Sequence, residues 1–179
     1  MQWERLFEMW PETLRTFEMH EVPRSEPLIH LELCETTAGS IQRLVFGTFG
    51  EGPGEICPLS MFLRHFPRLR KLTTPAVQTI LNPPEILSLD DIVLEVLVLA
   101  TSAWDIYANP NLNKLLDFEA LNRCVDMMPH LRRVEVPEFF VKLKDESDQR
   151  AFEELTSKLE ERGHPDKRAS SGIFLLESH

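Results

Sequence analysis

Six histidines, three cysteines, a glycine cluster and two acidic runs are the groups in this sequence that could do chemistry. A helical zinc site needs two ligands one turn apart on one face. No two histidines stand four apart, and His20 and His30 are ten apart. Cys34, Cys57 and Cys124 are separated by 23 and 67 residues. That is neither a disulfide framework nor a zinc spacing. They read as buried free thiols of a reducing compartment, cytoplasmic or nuclear. Gly47-Thr48-Phe49-Gly50-Glu51-Gly52-Pro53-Gly54-Glu55 has the glycines of a phosphate cradle. It lacks the Lys-Ser/Thr pair and carries two glutamates that would repel phosphate, so it reads as a loop. Asp90-Asp91 and Asp145-Glu146-Ser147-Asp148 lack calcium-loop spacing. The second run is expected to open a helix, where negative charge meets the positive end of the dipole. No serine stands in G-x-S-x-G. The expectation is no catalytic residue, no metal and no cofactor.

Binding residues are a different matter. The segment Ala100 to Asn113, ATSAWDIYANPNLN, is polar but holds Trp104 and Tyr107. Aromatic residues on a loop leaving a strand are the types that anchor partners. They are also the types that fold back over a core, and both readings stay open. Phe139 and Phe140 raise the same question further on.

The bulk composition narrows the choice of partner. The 179 residues are 42% hydrophobic and 27% charged, enough for one domain with a sizeable core. The formal net charge is −10 and the pI near 5.1. That balance argues against nucleic acid and against an anionic membrane surface. No apolar run approaches the ~18 residues of a membrane span. The opening MQWERLFEMW has two glutamates and no basic segment before an apolar one, unlike a signal peptide.

The elements that must carry these residues follow from a recurring pattern. Leu14-Arg15-Thr16-Phe17-Glu18-Met19, Leu28-Ile29-His30-Leu31-Glu32-Leu33, Leu94-Glu95-Val96-Leu97-Val98-Leu99 and Leu131 to Val136 fit apolar-x-x-apolar-x-apolar; Leu69-Arg70-Lys71-Leu72-Thr73 begins it. Alternating apolar residues bury one face of a short strand. A proline two or three residues earlier (Pro11, Pro67, Pro129) ends the preceding segment and turns the chain inward. Helical stripes lie between the strands: Trp3, Leu6, Phe7 and Trp10; Met61, Phe62, His65 and Phe66; Leu115 through Met128; and Phe152, Leu155 and Leu159, stopping at Gly163. Gly172 to Leu176 reads as a last strand. Ile41-Gln42-Arg43-Leu44-Val45-Phe46 also fits the strand pattern, at 27 residues from Leu14 and 28 from Leu69. Ser40 ahead of it is a good N-cap, and a helix is preferred there.

Helix-then-strand order places parallel strands on one side and helices on the other. The expected fold class is therefore α/β: an irregular leucine-rich-repeat-like solenoid, a single domain over residues 1–179, incomplete at its N-terminus. Phe66-Pro67-Arg68-Leu69-Arg70-Lys71-Leu72-Thr73-Thr74-Pro75 resembles the turn into a strand found in leucine-rich-repeat regions of fungal F-box proteins. Leu94 to Leu99, Met128 to Val136 and Pro27 to Cys34 resemble other repeats of the same proteins. The resemblance implies the substrate-binding region of a ubiquitin-ligase adaptor. The F-box itself would open near an L-P-x-E-I segment, and no such segment stands among these 179 residues.

The open face of such a sheet would carry Thr16, Glu18, His30, Glu32, Lys71, Thr73, Val96, Val98, Arg133 and Glu135. Mixed charge around an apolar centre at Val96 and Val98 suits a protein partner better than a polyanion. The expected function is a non-catalytic scaffold that binds an unidentified protein, with Trp104, Tyr107, Val96, Val98, Arg133, Phe139 and Phe140 as contact residues. A truncated or structural remnant without a ligand is the alternative, and a small enzyme is the reading the residues support least. Self-association through an uncapped N-terminal end is a further expectation.

Overall fold

The computed structural model describes residues 14–19, 39–46, 57–59, 63, 66–75, 79–80, 92–100, 116–138, 141, 145–163 and 172–176. Eight strands lie among them: β1 (Thr16–Met19), β2 (Arg43–Phe46), β3 (Cys57–Pro58), β4 (Lys71–Pro75), β5 (Thr79–Ile80), β6 (Val96–Ala100), β7 (Arg133–Pro137) and β8 (Gly172–Leu176). Two helices accompany them, α1 (Phe118–Asp126) and α2 (Glu146–Glu161). Six strands form one sheet in the order β1-β2-β4-β6-β7-β8, and every pairing in it is parallel. The two-residue strands β3 and β5 pair separately.

The sheet order follows chain order because each unit repeats the same local design. A leading apolar residue plugs the core: Ile41, Leu69, Leu94 and Leu131 are all buried. Two residues later the strand begins, and its next apolar residue enters the same core. Register stacks these residues: Phe17 faces Leu44, Leu44 faces Leu72, Leu72 faces Leu97, Leu97 faces Val134, and Val134 faces Ile173. Leu44, Leu72, Leu97 and Val134 are wholly buried. They join Leu121, Val125, Leu155 and Leu159 from the two helices in one cluster. Both described helices thus cover the same side of the sheet.

The preference for a helix at Ile41 to Phe46 is corrected: Arg43–Phe46 form strand β2, with Ile41 and Gln42 leading into it. The reason lies in Ser40. Its hydroxyl donates to the Leu14 carbonyl at 2.7 Å, across to the neighbouring unit, and does not cap a helix. The amides of Gln42 and Arg43 both donate to the Arg15 carbonyl, at 2.8 and 3.0 Å. Lateral bonds to β1 thus take the donors that a helix start would have used. Leu28 to Leu33, read as the second strand, lies outside the described residues; β2 holds the second place in the sheet.

The helical stripe read from Leu115 to Met128 forms a helix only over Phe118–Asp126. Asp117 caps α1 by accepting from the Ala120 amide at 2.8 Å. Asp145 caps α2 by accepting from Ser147 and Asp148, at 2.9 and 3.0 Å, so the acidic run does open a helix. The helix ends at Arg162, and the Gly163 amide donates to the Glu160 carbonyl at 3.0 Å. Phe118 of α1 meets Phe152 of α2 edge to face, with ring centres 5.5 Å apart. Gly172 starts β8 with φ of +119°, a conformation open to glycine and strained for any residue with a Cβ.

Candidate functional site

Opposite the helices, the sheet presents side chains in rows. One row runs Thr16, Arg43, Lys71, Val96, Arg133, Gly172. The next runs Glu18, Val45, Thr73, Val98, Glu135, Phe174. A third, leading row lies just ahead of the strands: Arg15, Gln42, Arg70, Glu95, Arg132. Each of its members is tied to the next by backbone bonds of 2.8 to 3.2 Å from that next residue or the one after it. Thr16, Glu18, Lys71, Thr73, Val96, Val98, Arg133 and Glu135, expected on the open face, stand in the first two rows. His30 and Glu32 lie outside the described residues. Arg43, Val45 and Phe174 join the face, and the reading from sequence missed them. For Arg43 and Val45 the signal was the repeat length, 27 residues from Leu14 and 28 from Leu69, which the Ser40 cap outweighed.

The chemistry of this face is ionic. Glu95 receives Arg70 on one carboxylate oxygen at 2.5 Å and Arg132 on the other at 2.8 Å. Glu135 sits 2.7 Å from Arg133 Nε and 4.0 Å from Lys71 Nζ. The Arg133 N–H does not point at that oxygen, so the contact is an ion pair without a well-aligned hydrogen bond. Arg43 pairs with Glu18 of the neighbouring strand at 3.3 Å. Arg133 also lies with its guanidinium carbon 3.9 Å from the centre of the Phe174 ring. Glu135 is only 8% exposed, and a carboxylate so covered needs paired cations to stay charged. Val98, expected as an open apolar contact, is only 6% exposed. It is flanked in register by Thr73 and Glu135, so the middle of the face is partly closed. Val96 and Arg133 are half-buried. Trp104, Tyr107, Phe139 and Phe140 lie outside the described residues.

A second concavity, of about 340 Å³, lies between α1 and α2. It is lined by charges of both signs, among them Arg123, Asp126, Arg150 and Glu154. Lys158 closes it with contacts of 2.9 Å to Asp126 and 2.8 Å to Glu154. Partial burial works against the Lys158 ammonium, but those two carboxylates hold its pKa above the ordinary lysine value. Buried Asn122 ties the helices together by donating to the Ala151 carbonyl at 2.7 Å. Cys124, on the buried side of α1, is a free thiol. Burial pushes its pKa up to about 11; Arg123 lowers it and Asp117 raises it further. Among the described residues, no three His, Cys, Asp or Glu side chains are grouped to hold a metal ion, and no helix is long and apolar enough to cross a membrane.

No family model, no curated protein and no solved structure matches the chain.

Proposed function

We propose that the chain is an irregular leucine-rich-repeat-like solenoid and works as a non-catalytic scaffold that binds another protein on the open face of its sheet. The supporting observation is the face itself. Six parallel strands bring side chains into register across it, while both described helices pack on the other side. Rows of charged and half-buried side chains around a small apolar centre have the composition of a recognition surface. The mode is that of the F-box repeat regions that Phe66 to Pro75 and Met128 to Val136 resemble. Trp104, Tyr107, Phe139 and Phe140 follow strands β6 and β7 in the chain, where aromatic contacts would extend the surface.

A displayed library of random peptides, selected on the intact chain, tests this reading. Thr73→Gln and Val96→Gln put longer neutral side chains on the face without touching the buried row. Selected peptides should lose at least about tenfold in affinity for the double variant, with its thermal melt unchanged. Peptides that bind wild type and double variant alike would overturn the reading.

A further inference from the structure

We infer that the open face takes an acidic protein segment, a stretch of chain with spaced carboxylates, along the leading row and the row beside it. This rests on the recognition reading above and specifies its partner. The two rows hold six cations, Arg15, Arg70 and Arg132 in the first and Arg43, Lys71 and Arg133 in the second. Glu18, Glu95 and Glu135 are the carboxylates paired with them. Cations thus outnumber carboxylates two to one here, in a chain whose formal net charge is −10. Six of the chain's 19 lysines and arginines stand in these two rows.

Packing does not demand this. Phe66-Pro67-Arg68-Leu69 and Met128-Pro129-His130-Leu131 make the same turn, each closed by a 3.0 Å bond from the leucine amide to the carbonyl three residues back. In each, the leucine fills the core and the next two residues are basic: Arg70-Lys71 and Arg132-Arg133. The core needs only the leucine. The repeated basic pair is outside that requirement.

The cations also keep donors to spare. A guanidinium carries five N–H donors, and one carboxylate shared between two of them cannot satisfy both. Arg70 shares Glu95 with Arg132, and its side chain is 60% exposed. Arg43, beside Glu18, is 51% exposed. A carboxylate arriving from solvent finds these donors already splayed and partly oriented, the arrangement that suits bidentate recognition.

The spacing favours peptide over nucleic acid. Glu95 and Glu135 interrupt the positive rows, so an unbroken line of phosphates would be forced over buried or half-buried carboxylates. A peptide can place glycine or an apolar residue there. The leading row crosses four strand gaps of about 4.8 Å each, roughly 19 Å in all. An extended segment of about six residues spans that distance.

Anisotropy of a fluorescent peptide of alternating Glu and Gly, about eight residues long, provides the test. Matching Lys-Gly peptide and oligothymidylate serve as comparisons. The Glu-Gly peptide should bind, weaken as salt is raised, and lose at least about tenfold in affinity for the Arg43→Gln/Arg70→Gln variant. Both substituted side chains are more than half exposed, so the variant should melt as wild type. Equal binding of the Glu-Gly and Lys-Gly peptides, tighter binding of oligothymidylate, or indifference to the double variant would overturn the proposal. Library peptides that need Thr73 and Val96 but are neutral or basic would also overturn it and leave the recognition reading standing. Peptides indifferent to both sets of substitutions would overturn both.

Discussion

Arg162 shows how much one side chain at the end of a helix can hold. Its Nη1 donates to the carbonyls of Val125 at 2.8 Å and Met128 at 2.9 Å and lies 3.3 Å from that of Leu131. These carbonyls belong to the end of α1 and the turn into β7; those of Val125 and Met128 also accept from the Met128 and Leu131 amides, at 3.1 and 3.0 Å. Arg162→Ala should lower stability by about 1.5–3 kcal/mol, the range for hydrogen bonds to a charged group. A lower urea midpoint at unchanged slope would check it. Cys124 provides a residue-scale test of a different kind. Its folded pKa is about 11 against an ordinary 9.0. Below pH 9 both states carry the neutral thiol and nothing changes. Between about 9 and 11 the unfolded thiol ionises while the folded one keeps its proton, so stability falls by up to about 1.4 kcal/mol per pH unit. Lys158, with its raised pKa, also withdraws stability as pH rises through that value. The comparison is therefore with Cys124→Ala, whose stability should fall less steeply over the same range in urea melts.

At the scale of elements, β2 is the most informative. A helix would place Leu44 and Val45 on one buried face, whereas a strand sends them to opposite faces. Leu44 is wholly buried, and Val45 sits half-buried in the open row. Leu44→Thr should therefore cost on the order of 2–4 kcal/mol, as other large losses from a packed core do. Val45→Thr should cost less than about 1 kcal/mol, since threonine suits a half-buried strand position. Equal losses in two denaturant melts would return the segment to a helix. The same alternation explains why Val98 closes the open face while Leu97 and Leu99 fill the core.

Across the whole molecule, one core links elements far apart in the chain. The buried cluster runs from Ile41 to Leu159, and β6 lies in the middle of the sheet between β4 and β7. Leu97 is at its centre, wholly buried and in register with Leu72 and Val134. Leu97→Asp would place an unpaired carboxylate there, at several kcal/mol against the ~5–15 that hold a domain folded. The variant should show no cooperative melt by circular dichroism. A near-wild-type melt would mean that β6 is not a central strand.

What could be read in the sequence was whatever depends on neighbours along the chain. Alternation at Leu14, Leu69, Leu94, Leu131 and Gly172 marks β1, β4, β6, β7 and β8. The acidic run from Asp145 stands at the start of α2. Thr16, Lys71, Val96 and Arg133 could be placed on one face from spacing alone, because a strand alternates its side chains whatever it pairs with. The tertiary structure decided which of two local fits Ile41 to Phe46 adopts, because Ser40 can cap a helix or bond sideways to Leu14, and only the neighbouring strand makes the second choice available. It also brought Arg43 beside Lys71, set Arg133 over Phe174, and put Glu95 between Arg70 and Arg132. Those contacts join residues 25 to 41 positions apart. Their geometry is set by strand register, and register arises when separate segments share one core.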